Sequence, residues 1–112
     1  MAKYLFLYRS PMSDAPPPSP EQMQAIMAVW NAWIDKFKKS GQLLDPGDGL
    51  TPAGKVVRSG VVSDGPFVEA KELLGGYSII QAKDFNEAVL VAKECPAAHH
   101  GSLEIREFAG WI

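Results

Sequence analysis

Residues 62–77 read VSDGPFVEAKELLGGY and say more about the fold than any other part of the chain. Asp64-Gly65-Pro66 predicts a tight turn, because glycine tolerates a positive φ and proline keeps the residue before it out of the α region. Residues 69–74 then predict a short helix. Gly75-Gly76 ends that helix and returns the chain into a strand that begins at Tyr77.

A long amphipathic helix is predicted on the N-terminal side of this stretch. Ser19 is a natural N-cap, Pro20 suits the first helical position, and Gln22 completes a capping box. Apolar residues then recur at three- and four-residue spacing until Gly41 closes the helix. They are Met23, Ile26, Met27, Trp30, Trp33, Ile34 and Phe37.

A second helix and further strands complete the pattern. Asp84 and Glu87 predict another capping box, and Pro96 ends that helix. Residues 3–8, 55–63 and 102–108 predict strands, the second of them interrupted at Ser59-Gly60 by a bulge or a tight hairpin. Residues 43–54 are rich in turn-forming residues.

This order of elements predicts one α+β domain over residues 1–112. It corresponds to the ferredoxin-like split βαβ arrangement, an antiparallel sheet with two helices on one face. The other face would be too apolar for water, so the pattern predicts a homodimer whose sheets pack face to face. The apolar strand residues are Leu5, Leu7, Val56, Val57, Val61, Val62, Ile79 and Ile80.

Composition excludes several classes of protein. The net charge is −2 and no run of Lys or Arg exceeds two residues, which argues against direct nucleic-acid binding. Neither a signal peptide nor a stretch of about 20 apolar residues is present, so we expect a cytoplasmic protein without a membrane span. The single Cys95 excludes an internal disulfide and is expected to be a buried hydrophobe. No phosphate loop or zinc pattern is found, and no cofactor is predicted.

Several separated segments resemble the DGPF branch of the YCII-related family. The segments are KYLFLYRS at 3–10, GLTP at 49–52, VSDGPFVEAKE at 62–72, GGY at 75–77 and GSLEIR at 101–106. The resemblance covers nearly the whole chain and implies the dimeric α+β barrel form of the ferredoxin-like fold. Relatives on that fold include lyases, isomerases and monooxygenases, so fold alone does not imply a reaction.

The same resemblance bears on activity. Some YCII-related members carry a His–Asp pair that has been suggested as an active site. Where the histidine would lie on the first helix, this chain has Trp30, Asn31 and Trp33, although Asp35 would match the aspartate. The proposed pair is therefore missing, and whether the protein is an enzyme stays open.

Residues in and near the motif are the candidate site. Asp64 is either a carboxylate at the mouth of a pocket or a cap that binds the backbone of its own turn. Glu69 would face the same cleft or lie on a solvated helix face. Phe67 would line the site or anchor the turn. Trp30 would form the aromatic wall of a pocket or pack in the core.

Each basic residue outside the motif has two possible roles, one in a functional site and one on the surface. Arg9, Arg58 and Arg106 lie near predicted strands and would bind an anionic substrate or form surface ion pairs. His99 and His100 would supply a general base or a single metal ligand, or would lie on a surface loop. No accompanying cluster of metal ligands is found, so no metal site is predicted.

Three hypotheses for function follow. The first is a protein that binds or converts a small molecule in a cleft between helix and sheet, with Asp64, Glu69 and Arg58 as polar groups. The alternative is an accessory or regulatory protein of transcription initiation, because some DGPF members accompany extracytoplasmic-function sigma factors. Such a role would require protein contacts rather than DNA binding. In the third hypothesis the motif is purely structural.

Overall fold

The computed structural model describes residues 1–13, 15–65 and 72–110. Its elements are β1 (Ala2–Pro11), α1 (Pro20–Lys39), β2 (Leu43–Asp45), β3 (Gly54–Arg58), β4 (Val61–Gly65), β5 (Glu72–Ala82), α2 (Phe85–Lys93), a 3-10 turn (Pro96–His99) and β6 (Ser102–Glu107). Four strands form an antiparallel sheet in the order β2-β5-β1-β6, and β3 and β4 form a separate hairpin. The predicted α+β ferredoxin-like arrangement is confirmed. In this part of the chain no helix combines the length and apolar character that a membrane span requires.

The core lies between the two helices and one face of the sheet. Tyr4 pairs with Ile80 and Phe6 pairs with Ser78 across β1 and β5, and all four side chains are almost completely buried. The indole Nε1 of Trp33 donates a hydrogen bond to the Val91 carbonyl at 3.2 Å, which ties α1 to α2. The other members of this buried core cluster are Trp33, Phe37, Leu43, Ala82, Ala88, Val91, Ala92 and Cys95.

The two predicted capping boxes have different outcomes. In α1 the Ser19 hydroxyl accepts from the Gln22 N–H at 3.1 Å and the Gln22 side chain accepts from the Ser19 N–H at 2.9 Å, so this box is confirmed. In α2 the Asp84 carboxylate accepts from the Glu87 N–H at 2.9 Å. The predicted return bond from Glu87 is wrong, because its carboxylate accepts from the Gln42 side-chain amide at 2.9 Å.

Strand β5 is longer than the sequence predicts. Residues 72–74 pair with residues 9–11 of β1, so the short helix predicted over 69–74 is wrong at its C-terminal end. Gly75 does not terminate a helix. Tyr8 pairs with Gly76 and Arg9 pairs with Leu74, which leaves Gly75 as the extra residue of a β-bulge. Pairing with a long central strand stabilises this segment more than an isolated helical turn would.

Of the two alternatives at Ser59-Gly60, the structure adopts the hairpin. Both residues have positive φ, 50° and 78°, as in the two-residue turns that suit the twist of paired strands. The hairpin extends through Asp64 and Gly65, so Asp64 belongs to β4 rather than to the predicted turn. Residues 55–63 were expected in the main sheet and form this separate hairpin, so that part of the prediction is wrong. One edge of the main sheet is β2, which lies within a segment predicted as turns and pairs through the buried Leu43 with Ile80.

The sheet face opposite the helices is apolar at its centre. Leu5 pairs with Ile79 and Leu7 pairs with Tyr77, and all four are half-buried in the single chain. Part of the predicted apolar set is wrong for this face, since Ile80 is turned toward the helices and is fully buried. The valines lie in the separate hairpin, where Val57, Val61 and Val62 are exposed.

Candidate functional site

A cleft of about 590 Å³ opens between α1 and the end of the sheet where β1 and β5 form the bulge. Volumes of this size are typical of small-molecule sites. The walls come from residues 8–10 of β1, the face of α1 that carries Met27, Trp30 and Ile34, the loop 46–49, residues 75–77 of β5, and Ala97 and His100. Five separate segments of the chain therefore converge on one concave surface.

An aromatic wall runs from the core into this cleft. The Trp30 ring lies 5.9 Å from that of Trp33 and 5.4 Å from that of Tyr8, both in edge-to-face geometry. Trp33 is a core residue with 4% of its surface exposed, whereas Trp30 is only partly buried and lines the cleft. A tryptophan on this helix could pack in the core or line a pocket, and the structure shows one of each. Trp33 packs in the core, and Trp30 forms part of the cleft wall.

The wall formed by the loop 46–49 depends on close backbone packing. Gly47 has a φ of 72°, and a Cβ atom there would lie 1.7 Å from the Tyr77 carbonyl oxygen. A Cβ at Gly76 would lie 3.0 Å from the Asp48 carbonyl oxygen. Glycine on both sides lets the loop lie directly on the bulge of β5, so this wall consists largely of backbone.

A buried chain of hydroxyl groups connects the sheet to the same loop. The Tyr8 hydroxyl donates to Ser78 Oγ at 2.6 Å, and Ser78 Oγ donates to the Pro46 carbonyl at 2.7 Å. Burial raises the pKa of the Tyr8 phenol far above its usual range, so Tyr8 remains a donor. Burial also raises the pKa of the neighbouring Cys95 thiol, which stays neutral as a small apolar residue.

We expect Ser78→Ala to lower the free energy of unfolding by roughly 1–3 kcal/mol, because the Pro46 carbonyl loses its donor and the Tyr8 hydroxyl its acceptor. Urea denaturation measures the change. The matched control is Ser63→Ala on the exposed hairpin, whose hydroxyl also donates to a carbonyl, that of Val56 at 3.4 Å. That control should lose less than about 0.5 kcal/mol. Equal losses in the two variants would contradict a special role for the buried chain.

Besides two tyrosines, the residues that line the cleft include Arg9, Asp48 and His100. Arg9 Nη1 lies 2.6 Å from Glu104 Oε1, and the second oxygen of Glu104 lies 3.5 Å from Arg106 Nη1. The Asp48 carboxylate accepts a hydrogen bond from the Gly49 N–H at 2.8 Å. His100 follows the 3-10 turn and is exposed. Arg9 alternates with Tyr8 on β1, and its partner Glu104 lies opposite Leu7, so the Arg9 guanidinium lies on the open face of the sheet. Asp48 and His100 are the polar residues that remain beside the apolar wall of the cleft.

The candidates from the central motif lie apart from this cleft or outside the described residues. Asp64 is on the hairpin, where its side chain is 90% exposed and pairs with Lys55 rather than capping a turn. Arg58 is exposed on the partner strand of the same hairpin. Phe67 and Glu69 fall within residues 66–71, outside the described part of the chain.

Two candidates lie on α1, and only one of them reaches the cleft. Trp30 is part of its wall, whereas Asp35 is exposed and is not among the lining residues. The structure thus does not bring Asp64, Arg58 or Asp35 together with Trp30, and a functional role for each stays a prediction. The described residues also contain no group of three His, Cys, Asp or Glu side chains suited to a metal ion.

Sequence reasoning missed the contributions of Tyr8, Asp48 and His100 to one site. The sequence pattern predicts only a strand at Tyr8 and a turn at Asp48, and it leaves His100 open between a site and a surface loop. The available signal was the two glycine pairs, at 47 and 49 and at 75 and 76, because glycines in two segments often mark a close approach of two backbones.

Comparison with known proteins places the chain in a family. Residues 2–112 match the model of the YCII-related domain, which is nearly the whole sequence. No curated protein matches the chain. The more specific likeness to the DGPF branch stays a resemblance carried by the motif at residues 62–77. With an α+β fold of the expected topology and a match over almost its full length, the chain belongs to the YCII-related family.

Proposed function

We propose that this protein binds a small molecule in the cleft between α1 and the sheet. The observation that carries the proposal is the cleft itself, a concave space of about 590 Å³ with few polar groups among many apolar ones. Ligand sites generally have this composition, in which the apolar lining supplies affinity and the polar groups orient the ligand. The proposal concerns binding and assigns no reaction.

The arrangement of the walls supports a site that exists before the ligand arrives. Trp30 is held by edge-to-face contacts with Tyr8 and Trp33. The opposite wall is fixed by the backbone packing of Gly47 on Tyr77 and by the Ser78 bond to Pro46. A site that is already ordered requires little loss of conformational entropy on binding, which favours affinity.

The test is a screen of neutral and charged fragments by ¹H–¹⁵N NMR, followed by titration of a hit. We expect shift changes at cleft residues and a hit whose affinity falls at least about fivefold in Met27→Gln, the size of losing part of an apolar contact. The matched control is Met23→Gln on the same helix. Met23 and Met27 are similarly exposed, 44% and 47%, but only Met27 lines the cleft. Equal losses in both variants, or no hits at the cleft, would contradict the proposal.

We further propose that a second copy of the chain covers the open sheet face, as the sequence pattern predicts. The central residues Leu5, Leu7, Tyr77 and Ile79 support this proposal, because they form a contiguous apolar strip on paired strands. Two sheets that pack face to face would bury this strip. The alternative role in transcription initiation stays a prediction from the resemblance.

A further inference from the structure

We infer that the ligand of this cleft is an uncharged planar aromatic molecule, which lies flat on a glycine surface of the sheet beneath Trp30. The glycine surface consists of Gly49, Gly75 and Gly76, which all line the cleft. The inference rests on the proposed small-molecule site and narrows the class of its ligand. Three observations support it: a row of the sheet without side chains, two glycines that packing does not require, and the character of the polar groups around them.

One row of residues across the sheet lacks side chains at this point. Gly49 lies opposite Gly76, and Gly76 lies opposite Tyr8. Residues directly opposite each other project to the same face of a sheet, so both glycines lie on the face where the Tyr8 ring contacts Trp30. Because adjacent strands are about 4.8 Å apart, the two glycines leave roughly 10 Å of bare backbone beside Tyr8. Such a flat area beneath Trp30 and Met27 suits a fused ring.

Close packing explains the glycine at one of the three positions. A Cβ at Gly76 would lie 3.0 Å from the Asp48 carbonyl oxygen, so a side chain has little room there. At Gly49 and Gly75 the nearest described atom outside the adjoining residues would be a carbonyl oxygen, at 3.8 and 3.9 Å, which is an ordinary contact. Neither of these two residues has a positive φ. The fold therefore tolerates a side chain at both positions, and the two glycines instead keep the cleft open.

The backbone polar groups of the glycine surface already have partners. The Gly75 carbonyl accepts a hydrogen bond from the Leu50 N–H at 2.8 Å, and the Gly49 N–H donates to the Asp48 carboxylate at 2.8 Å. A ligand on this surface therefore gains mainly hydrophobic and dispersion contact. A planar ring maximises that contact, and it gains further from stacked or edge-to-face geometry with Trp30.

The charged groups near the cleft do not select a charged ligand. The Arg9 guanidinium lies on the open face of the sheet, where it pairs with Glu104. Asp48 and His100 are both exposed, so solvent screens the attraction of either side chain for an ion. Ser10 alternates with Arg9 and therefore projects to the cleft side, where it and His100 can bond a polar substituent of an uncharged ring.

The first experiment varies the shape and the charge of the ligand. Calorimetry measures the affinities of 2-naphthamide, decahydro-2-naphthamide, 2-naphthoate and 2-naphthylmethylammonium for the wild-type protein. We expect 2-naphthamide to bind about fivefold more tightly than its saturated analogue, the size of an aromatic contact beyond the area that it buries. Both ions should bind more weakly than 2-naphthamide, because neither recovers in the cleft the hydration that it loses.

The second experiment places a methyl group on the glycine surface. Gly49→Ala and Gly75→Ala should each bind 2-naphthamide about tenfold more weakly, because the methyl group occupies the place of the ring. They should melt no lower than the wild type, since alanine at a compatible position restricts the unfolded chain. The control is Gly41→Ala, because Gly41 has a φ of 78° and does not line the cleft. It should melt at a lower temperature and keep its affinity.

The outcomes separate the two proposals. Equal affinity for the planar and the saturated amide, or tighter binding of either ion, would overturn the ligand class and leave the small-molecule site standing. The class would also be overturned if Gly49→Ala and Gly75→Ala bound 2-naphthamide as the wild type does, or if both melted lower, which would show that these glycines serve packing. If neither the naphthyl compounds nor the fragment screen gave binding at the cleft, the site itself would fall.

Discussion

Replacing Gly47 with alanine should lower the free energy of unfolding by about 3–5 kcal/mol, at the severe end of single substitutions. Two costs add. The residue has a φ of 72°, which an L side chain adopts only with strain, and its Cβ would lie 1.7 Å from the Tyr77 carbonyl oxygen. The clashing atom belongs to the backbone of a central strand, so no rotation of a side chain relieves the overlap. Urea denaturation measures the loss.

The matched control is Gly41→Ala. Gly41 has nearly the same φ, 78°, but no atom lies within 4 Å of the Cβ position. This variant should lose only the conformational part, about 1–2 kcal/mol. Fragment binding should weaken in Gly47→Ala and persist in Gly41→Ala, because the substitution displaces the cleft wall in the first variant alone. Equal destabilisation of the two proteins would show that the contact between the loop and the strand is unimportant.

Leu5→Asp should convert a dimer that pairs its open sheet faces into monomers, with a dissociation constant raised about a thousandfold or more. Leu5 lies opposite Ile79 at the centre of the apolar strip. A symmetric interface would contain the substitution twice, and an uncompensated buried charge costs several kcal/mol, whereas about 1.4 kcal/mol corresponds to each factor of ten. Sedimentation equilibrium would report the 12.2 kDa chain mass for the variant and about twice that mass for the wild type.

The control for this prediction is Leu90→Asp. Leu90 lies on α2, its surface is 62% exposed, and it is remote from the open sheet face. We expect this variant to remain dimeric. A wild-type protein that stays monomeric at micromolar concentration would contradict the dimer proposal. Dissociation of both variants would place the interface elsewhere.

Local rules predicted the helices well, because their signals lie within a few residues of each other. Ser19 and Gln22 cap α1 as expected, and Trp33 and Phe37 of its apolar set are buried in the core. The same spacing does not hold for the first half of the helix, where Met23, Ile26 and Met27 are exposed. The predictions that depend on distant pairing were less successful. Residues 72–74 resemble a helix in isolation, and only their pairing with residues 9–11 makes them part of β5.

The site was predictable only in part for the same reason. Helical spacing places Trp30 and Trp33 on one side of α1 but cannot tell which of them meets the core and which meets a cleft. That distinction depends on Phe6 and Val91, which contact Trp33 from β1 and α2. The contribution of His100 depends on how closely Gly101 approaches Arg9, a contact between residues more than ninety positions apart in sequence.

The position of β1 has a consequence for how the protein folds during synthesis. β1 is a central strand, yet it pairs with β5, as Ala2 does with Ala82, and with β6, as Tyr4 does with Glu107. Ribosomes add about 5–20 residues per second. Several seconds therefore pass between the synthesis of β1 and the synthesis of either strand that pairs with it. Contacts this far apart in sequence are also slow to form. During that interval the nascent chain must keep an apolar central strand from pairing with other chains, so aggregation is most to be expected before the last strand emerges.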